Sequence, residues 1–209
     1  MTAALIVIDM QRDFCAPGGY ADQAGLDISL LRAPIPAIQD LLAAARARGV
    51  LVLHTREGHR ADLSDLPELK RRRAENAGAP IGSQGPLGRL LVRGEYGHDL
   101  IDELQPLPGE PVIDKPGYSA FAATDLELLL RNRGITELII TGVTTEVCVH
   151  STLHSAVDLG YACTLVSDAC ASAYPELHTA ALAMVDVEGG LFGRVCDSQR
   201  LLAEWKDAP

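Results

Sequence analysis

Three residues with side chains suited to nucleophilic catalysis each follow a short apolar segment. Asp9 follows residues 4–8, Lys115 follows residues 111–113, and Cys148 lies in a turn after residues 138–140. If these segments are parallel strands, their carboxyl ends meet where such sheets bind ligands. A thiol in the first turn of a helix feels the positive end of the helix dipole, which favours the thiolate. Lys115 would add positive charge, and Asp9 could accept the thiol proton and return it to a leaving amine.

Each of these residues also has a common structural role. A buried cysteine often serves as a small apolar filler, a strand-terminal aspartate often caps a loop, and a lysine after a strand is often solvated. The spacing alone leaves both interpretations of Asp9, Lys115 and Cys148 open. Their occurrence together at three predicted strand ends favours an active site.

The elements that would position them alternate in type along the chain. Short apolar segments predict strands, and segments with helical spacing of apolar residues predict helices between them. Residues 56–110 lack this periodicity, and we expect short helical pieces and part of a pocket wall there. The pattern predicts one doubly wound α/β domain over residues 1–209, with a mostly parallel sheet of about six strands and helices on both faces. The predicted strands are 4–8, 50–54, 111–113, 138–140, 163–166 and 191–195, and the helices are 34–48, 124–134, 145–159 and 175–187.

Composition limits the possible partners. The 209 residues are 47% hydrophobic and 22% charged, with a net charge of −10. This acidity argues against nucleic acid or a membrane surface as partner, because both require clustered basic residues. No apolar run approaches the roughly 18 residues of a membrane span. The five cysteines show no CxxC pair, which favours reduced thiols and a cytoplasmic location over disulfides or a zinc site; they are Cys15, Cys148, Cys163, Cys170 and Cys196.

Three sequence blocks together resemble the isochorismatase-like cysteine hydrolases. They are Ile-Val-Ile-Asp-Met-Gln-Arg-Asp-Phe at 6–14, Asp-Lys-Pro at 114–116 with Ser-Ala-Phe at 119–121, and Gly-Val-Thr-Thr-Glu-Val-Cys-Val at 142–149. The blocks occur in order and at the usual spacing over nearly the whole chain. The first predicted turn, in contrast, has no Gly-x-Gly-x-x-Gly motif for a dinucleotide.

The resemblance implies a catalytic triad of Asp9, Lys115 and Cys148. It also implies a cis peptide bond before Thr144 and an oxyanion hole formed by the N–H groups of Thr144 and Cys148. The implied chemistry is thiolate attack on an amide carbon, loss of ammonia, and hydrolysis of the acyl-thiol intermediate, without a metal or other cofactor. A homotetramer is expected by resemblance only. A non-catalytic relative acting as a binding protein remains an alternative, although such a protein would be expected to lose one of the three residues.

The sequence also bears on which member of the family this chain resembles. Nicotinamidases carry an Asp-x-His metal motif after the second strand, and this chain has none there. His54 and His59 could bind a metal, but a core or surface role is favoured for both. Isochorismatases proper lack the catalytic cysteine, so Cys148 argues against their vinyl-ether chemistry.

Residues 55–63, with Leu-Pro at 66–67 and Lys-Arg at 70–71, resemble biuret and related ureido amidohydrolases. Such substrates are small, flat and rich in nitrogen, and Phe14 and Tyr118 are candidate flat walls for them, or simply core residues. Biuret hydrolases carry a glutamine where this chain has Glu188. A carboxylate only accepts hydrogen bonds and prefers a cationic partner, so Glu188 predicts guanylurea in preference to biuret. The structural alternative is that Glu188 caps a helix or pairs with Arg194.

Overall fold

The central feature of the fold is a six-stranded sheet. The computed structural model describes residues 2–207 of the chain. All six strands are parallel, in the order β5-β2-β1-β6-β7-β8, and a separate two-residue hairpin forms β3 and β4. The predicted parallel α/β architecture is therefore confirmed. The strands are β1 Ala3–Ile8, β2 Leu51–Glu57, β3 Gln84–Gly85, β4 Gly88–Arg89, β5 Val112–Lys115, β6 Glu137–Val143, β7 Ala162–Ala171 and β8 Arg194–Cys196.

Helices cover both faces of the sheet. One apolar cluster includes Leu31, Ile38 and Leu201 on one face, and a second includes Leu130 and Leu153 on the other. These helices bury the apolar side chains of β1 and β6 from both sides, which explains why the strands read as continuous apolar runs. The helices are α1 Arg12–Cys15, α2 Tyr20–Gln23, α3 Ile28–Arg32, α4 Ile35–Ala47, α5 Glu68–Asn76, α6 Leu126–Asn132, α7 His150–Asp158, α8 Pro175–Val185, α9 Val187–Gly190 and α10 Ser198–Asp207.

One stretch of helix is apolar enough to resemble a membrane span. By length and composition, residues Ile28–Ala47 could cross a membrane. In the fold, however, Leu31, Ile38 and Leu41 of this stretch are fully buried in the first apolar cluster. This packing is that of a core helix in an α/β protein.

Several boundaries differ from those predicted. Strand β2 continues to Glu57 rather than ending at residue 54, and the last strand begins at Arg194 rather than at residue 191. Helix α10 was not predicted. At the start of α6, Thr124 Oγ1 accepts from the N–H of Leu126, while Glu127 pairs with Arg131.

Candidate active site

The candidate site lies where the strand order reverses. The chain places β2 and β5 on one side of β1, and β6, β7 and β8 on the other. In parallel sheets, ligands bind outside the carboxyl ends of the strands at such a switch point. Asp9 directly follows β1, Glu57 and Lys115 end the adjacent strands β2 and β5, and Cys148 lies in the turn after β6. The topology therefore brings these four side chains to one edge of the sheet.

Gly142 allows the two central strands to approach closely at this edge. It pairs with Ile8 in the β1–β6 register and has a φ of +108°. A Cβ atom at this position would lie 2.0 Å from the carbonyl oxygen of Ile8. Only glycine fits both this backbone conformation and this contact. The close approach holds Asp9 beside the turn that carries Cys148.

Four charged side chains form a buried row with alternating signs. Lys70 Nζ lies 2.6 Å from Glu57 Oε1, and Lys115 Nζ lies 3.5 Å from Glu57 Oε2 and 2.7 Å from Asp9 Oδ2. All four residues are buried, Asp9 and Lys115 completely. Because two ammonium groups face two carboxylates, the row has no net formal charge. This balance makes its burial tolerable, since an unpaired buried charge is costly.

Other polar groups fix the ends of this row. The Thr55 hydroxyl donates to Asp9 Oδ1 at 2.6 Å. Lys115 Nζ also donates to the Gly117 carbonyl at 3.0 Å, and Lys70 Nζ to the Pro116 carbonyl at 2.6 Å. These bonds give each ammonium group a carbonyl acceptor besides its carboxylates and tie the loop after β5 to the charged row.

The thiol of Cys148 contacts Glu57 directly. Its Sγ donates to Glu57 Oε2 at 3.2 Å, inside a π-helical turn that spans Thr145–Val149 and leads into α7. Asp9 instead bonds to Thr55 and Lys115. The Glu57 carboxylate thus accepts the thiol hydrogen bond in this structure. Asp9, which has a carboxylate oxygen within 4.8 Å of Sγ, stays a predicted acceptor of the thiol proton.

The surroundings set the protonation states of these groups. Burial opposes ionisation of Glu57, but the ammonium groups of Lys115 and Lys70 outweigh it and lower the pKa of Glu57 to about 2. Burial raises the pKa of Asp9, with Lys115 acting against it. Burial also raises the pKa of Cys148 well above its ordinary value, and the charges of Glu57 and Asp9 add to this while Lys115 opposes it. The pKa of Lys115 is raised because the neighbouring anions outweigh its burial. At rest, Cys148 is therefore a thiol beside an ionised Glu57 and a protonated Lys115.

A tight turn leads from the end of β6 to Cys148. The peptide bond between Val143 and Thr144 is cis, as the resemblance implies. The Thr144 carbonyl accepts from the N–H groups of Val147 and Val149, which closes the turn. Thr144 and Cys148 thus stand on one tight turn at the carboxyl end of β6. Their assignment to an oxyanion hole remains a prediction.

Aromatic side chains surround this edge. Phe14 is buried on α1 and meets Tyr20 edge to face, with 5.9 Å between ring centroids. Tyr118 lies over Lys70, whose Nζ is 5.1 Å from the ring centroid. Burial raises the pKa of Tyr20 to about 12, and the charges of Glu57, Tyr118 and Cys148 add to the effect. Tyr20 therefore belongs to the same surroundings, which sequence analysis did not identify.

Glu188 is not part of this cluster. It is exposed, in the left-handed backbone region at φ 52° and ψ 34°, in the turn after α8. That segment leads to Gly193, which lies against the carbonyl of Cys163 near the start of β7. Glu188 thus lies toward the amino edge of the sheet, whereas Cys148 follows the carboxyl end of β6. Within one chain, the structure therefore gives no support to the predicted contact between Glu188 and a substrate held by Cys148. Arg194, its alternative partner, pairs with Glu204.

Glu57 and Lys70 are the site residues that sequence analysis missed. Glu57 was not assigned to the site because β2 was predicted to end three residues earlier, and Lys70 because residues 56–110 lack the periodicity that would place it. The register does carry a signal, since Glu57 pairs directly with Lys115 across β2 and β5. A charged residue that ends an apolar strand next to a strand ending in lysine indicates a buried ion pair.

Two groups of side chains could donate to a metal: the histidines near the end of β2 and the side chains around Cys148. His54 contacts Glu110 at 3.4 Å and His59 contacts Asp65 at 3.2 Å, so each imidazole has its own carboxylate partner. Among residues 2–207, the one cluster of three or more donors with metal-binding spacing is Asp9, Glu57 and Cys148, whose donor atoms lie within 4.8 Å of one another. The Lys115 ammonium contacts both of these carboxylates. A dication there would face an unscreened positive charge, so the site suits proton transfer better than metal binding.

Comparison with known proteins agrees with this fold. The Isochorismatase domain model matches residues 3–200. An isochorismatase family protein from Desulfovibrio vulgaris is 33% identical with a TM-score of 0.80, and 98% of each chain is covered. A cysteine hydrolase from Pseudomonas syringae pv. phaseolicola is 28% identical with a TM-score of 0.83, covering 99% of this chain and 93% of that one. The pyrazinamidase/nicotinamidase of Streptococcus mutans is 28% identical with a TM-score of 0.73, covering 93% and 100%. This chain therefore belongs to the isochorismatase family.

Proposed function

We propose that this protein is a cysteine-dependent amidohydrolase that releases ammonia from a small ureido compound. One observation carries the proposal: the buried thiol of Cys148 donates a hydrogen bond to Glu57, whose carboxylate also contacts Lys115. A thiol with a raised pKa needs an adjacent proton acceptor to become a nucleophile. Glu57 is the carboxylate in contact with the thiol, and Lys115 stabilises the thiolate that forms. Asp9, which has a raised pKa and a carboxylate oxygen within 4.8 Å of Sγ, is the alternative acceptor.

The first half of the reaction forms an acyl-thiol. The Cys148 proton moves to Glu57 as Sγ bonds to the carbonyl carbon of the substrate, and the carbonyl oxygen takes the negative charge. In this proposal the N–H groups of Thr144 and Cys148 donate to that oxygen, since preorganised backbone donors stabilise such an oxyanion. The C–N bond then breaks, the leaving nitrogen takes the proton held by Glu57, and ammonia departs.

The second half regenerates the thiol. A water molecule loses a proton to Glu57 and adds its oxygen to the acyl carbon. The C–S bond breaks, and the thiolate recovers the proton. For a ureido substrate the other product is a carbamate. Lys115 stays protonated throughout and is held in place by Asp9, so Asp9 acts on the thiol through Lys115.

The ureido class is supported by where the corresponding sequence block lies. The segments that resemble biuret and related amidohydrolases lie within residues 55–71. They supply Glu57 and Lys70 to the charged row, and Thr55 as a donor to Asp9. Phe14 and Tyr118 offer apolar ring faces nearby, which suits a planar substrate. Because Glu188 lies at the other edge, the proposal covers biuret, triuret, ureidoacrylate and guanylurea without a preference for guanylurea.

The experiment is ammonia release from guanylurea, biuret, triuret, a ureidoacrylate-like amide and nicotinamide, each at several concentrations. We expect the highest kcat/KM for a ureido compound, and we expect that dialysis against EDTA leaves the rate unchanged. A preference for nicotinamide of ~100-fold, equivalent to about 2.7 kcal/mol in transition-state binding, would replace the ureido class by nicotinamidase activity. No ammonia from any amide would favour a non-catalytic binding protein.

A further inference from the structure

Helix α7 carries two histidines one turn apart that the proposed chemistry does not use. His150 and His154 are both half-buried, and their Nε2 atoms lie 3.3 Å apart. Residues four apart on a helix share one face, so both imidazoles project on the same side. His154 also packs against Phe192, with 4.3 Å between ring centroids. The pair is thus held from the side by a neighbouring ring.

The spacing of the two nitrogen atoms matches a tetrahedral chelate. Zinc binds imidazole nitrogen at ~2.0–2.1 Å. Two nitrogens 3.3 Å apart would therefore subtend ~107° at the ion, close to the tetrahedral angle of ~109°. We propose that His150 and His154 form a binding site for zinc or a similar divalent transition metal, with water completing the coordination.

Small ring rotations bring both nitrogen lone pairs onto one ion. The rings are perpendicular, at 89°, with centroids 4.4 Å apart. A shared ion requires a centroid separation of ~5 Å, so the rings must move apart by ~0.6 Å through small changes in χ1 and turn about χ2, which is broad for histidine. Without metal, one N–H of the pair donates to the other ring nitrogen. The ion would replace this proton.

The protonation state of the pair also suits a metal. Burial and the neighbouring His154 lower the pKa of His150, so its ring is neutral near pH 7 and available as a ligand. The pair is separate from the donor cluster of Asp9, Glu57 and Cys148. That cluster provides the competing location that an experiment must exclude.

Isothermal titration with ZnCl₂ tests the site in the intact chain. We expect one zinc per chain, bound with similar affinity by the wild type, by Cys148→Ser and by the single-imidazole control His178→Gln. Binding should weaken at least tenfold in His150→Gln and in His154→Gln, each checked for a normal unfolding temperature. Unchanged binding in both of these variants, absence of binding to the wild type, or loss only in Cys148→Ser would overturn the proposal.

A second measurement needs no variant. Co²⁺ bound by two imidazoles and water gives visible absorption without the near-ultraviolet charge-transfer band of a cobalt–thiolate bond. We expect this spectrum from the wild-type protein. A thiolate band would place the ion at Cys148 instead and would overturn the proposal.

Discussion

Replacing Glu57 by glutamine tests the assignment of the thiol proton acceptor. Glu57→Gln keeps the shape of the side chain but removes the charge that Cys148, Lys70 and Lys115 contact. Loss of a general base lowers rates by ~10²–10⁴-fold, which corresponds to ~2.7–5.5 kcal/mol in activation free energy. We therefore expect kcat for ammonia release to fall by at least ~100-fold.

The same substitution leaves the buried row with one unbalanced positive charge. Breaking a buried ion pair costs ~3–5 kcal/mol in unfolding free energy, which for a chain of this size lowers Tm by roughly 6–20 °C. Glu57→Gln combined with Lys70→Met leaves only the Asp9–Lys115 pair and restores neutrality. We expect this double variant to regain most of the lost Tm but none of the lost activity.

Calorimetry and the ammonia assay on both variants separate the two roles of Glu57. The single variant should lose both stability and rate, whereas the double variant should recover only stability. A kcat for Glu57→Gln within tenfold of wild type would refute Glu57 as the proton acceptor. Recovery of activity in the double variant would show that only the charge balance matters.

Three further expectations follow from other parts of the molecule. Burial raises the pKa of Asp13 to about 6. Between pH ~4 and ~6 its carboxyl group is therefore protonated in the folded state and ionised in the unfolded state. The contribution of Asp13 to the free energy of unfolding therefore falls by up to ~3 kcal/mol as pH rises through that window. Urea titrations should show this pH dependence in the wild type and not in Asp13→Asn; the same pH dependence in both proteins would contradict the expectation. Glu188→Gln should change the ratio of kcat/KM for guanylurea and biuret by less than ~3-fold relative to the wild type, since Glu188 is exposed toward the amino edge of the sheet. A larger change would indicate that Glu188 contacts the substrate. We expect light scattering to give the mass of a homotetramer, with the exposed side chains of Leu177, Met184 and Leu191 at an interface. Met184→Lys should then lower the measured mass of the assembly, and a monomer at every protein concentration would contradict this.

The fold was largely predictable because the apolar strands and their order of occurrence leave few arrangements. Asp9, Lys115 and Cys148 could be predicted because Asp9 and Lys115 closely follow apolar segments and Cys148 lies in the turn after a third, and parallel strands must bring those ends together. Glu57 and Lys70 were missed because their role depends on strand register and on a helix that returns to the sheet edge. The position of Glu188 depends on the length and direction of α8, and no local pattern around residue 188 reveals it. Helix α10 follows the last predicted strand and was not predicted, although its apolar residues Leu201, Leu202 and Trp205 recur at helical spacing.

Replacing Cys148 tests the central claim that its thiol is the nucleophile. The matched control is Cys163→Ser, since Cys163 is also buried but bonds to the Tyr161 carbonyl, a contact that serine can keep. With both variants folded by circular dichroism, we expect Cys148→Ala to lose at least ~10³-fold in kcat for the best ureido substrate and Cys163→Ser to stay near the wild-type rate. Ammonia release by Cys148→Ala at more than about a tenth of the wild-type rate would contradict the account, since a tenfold loss is only ~1.4 kcal/mol.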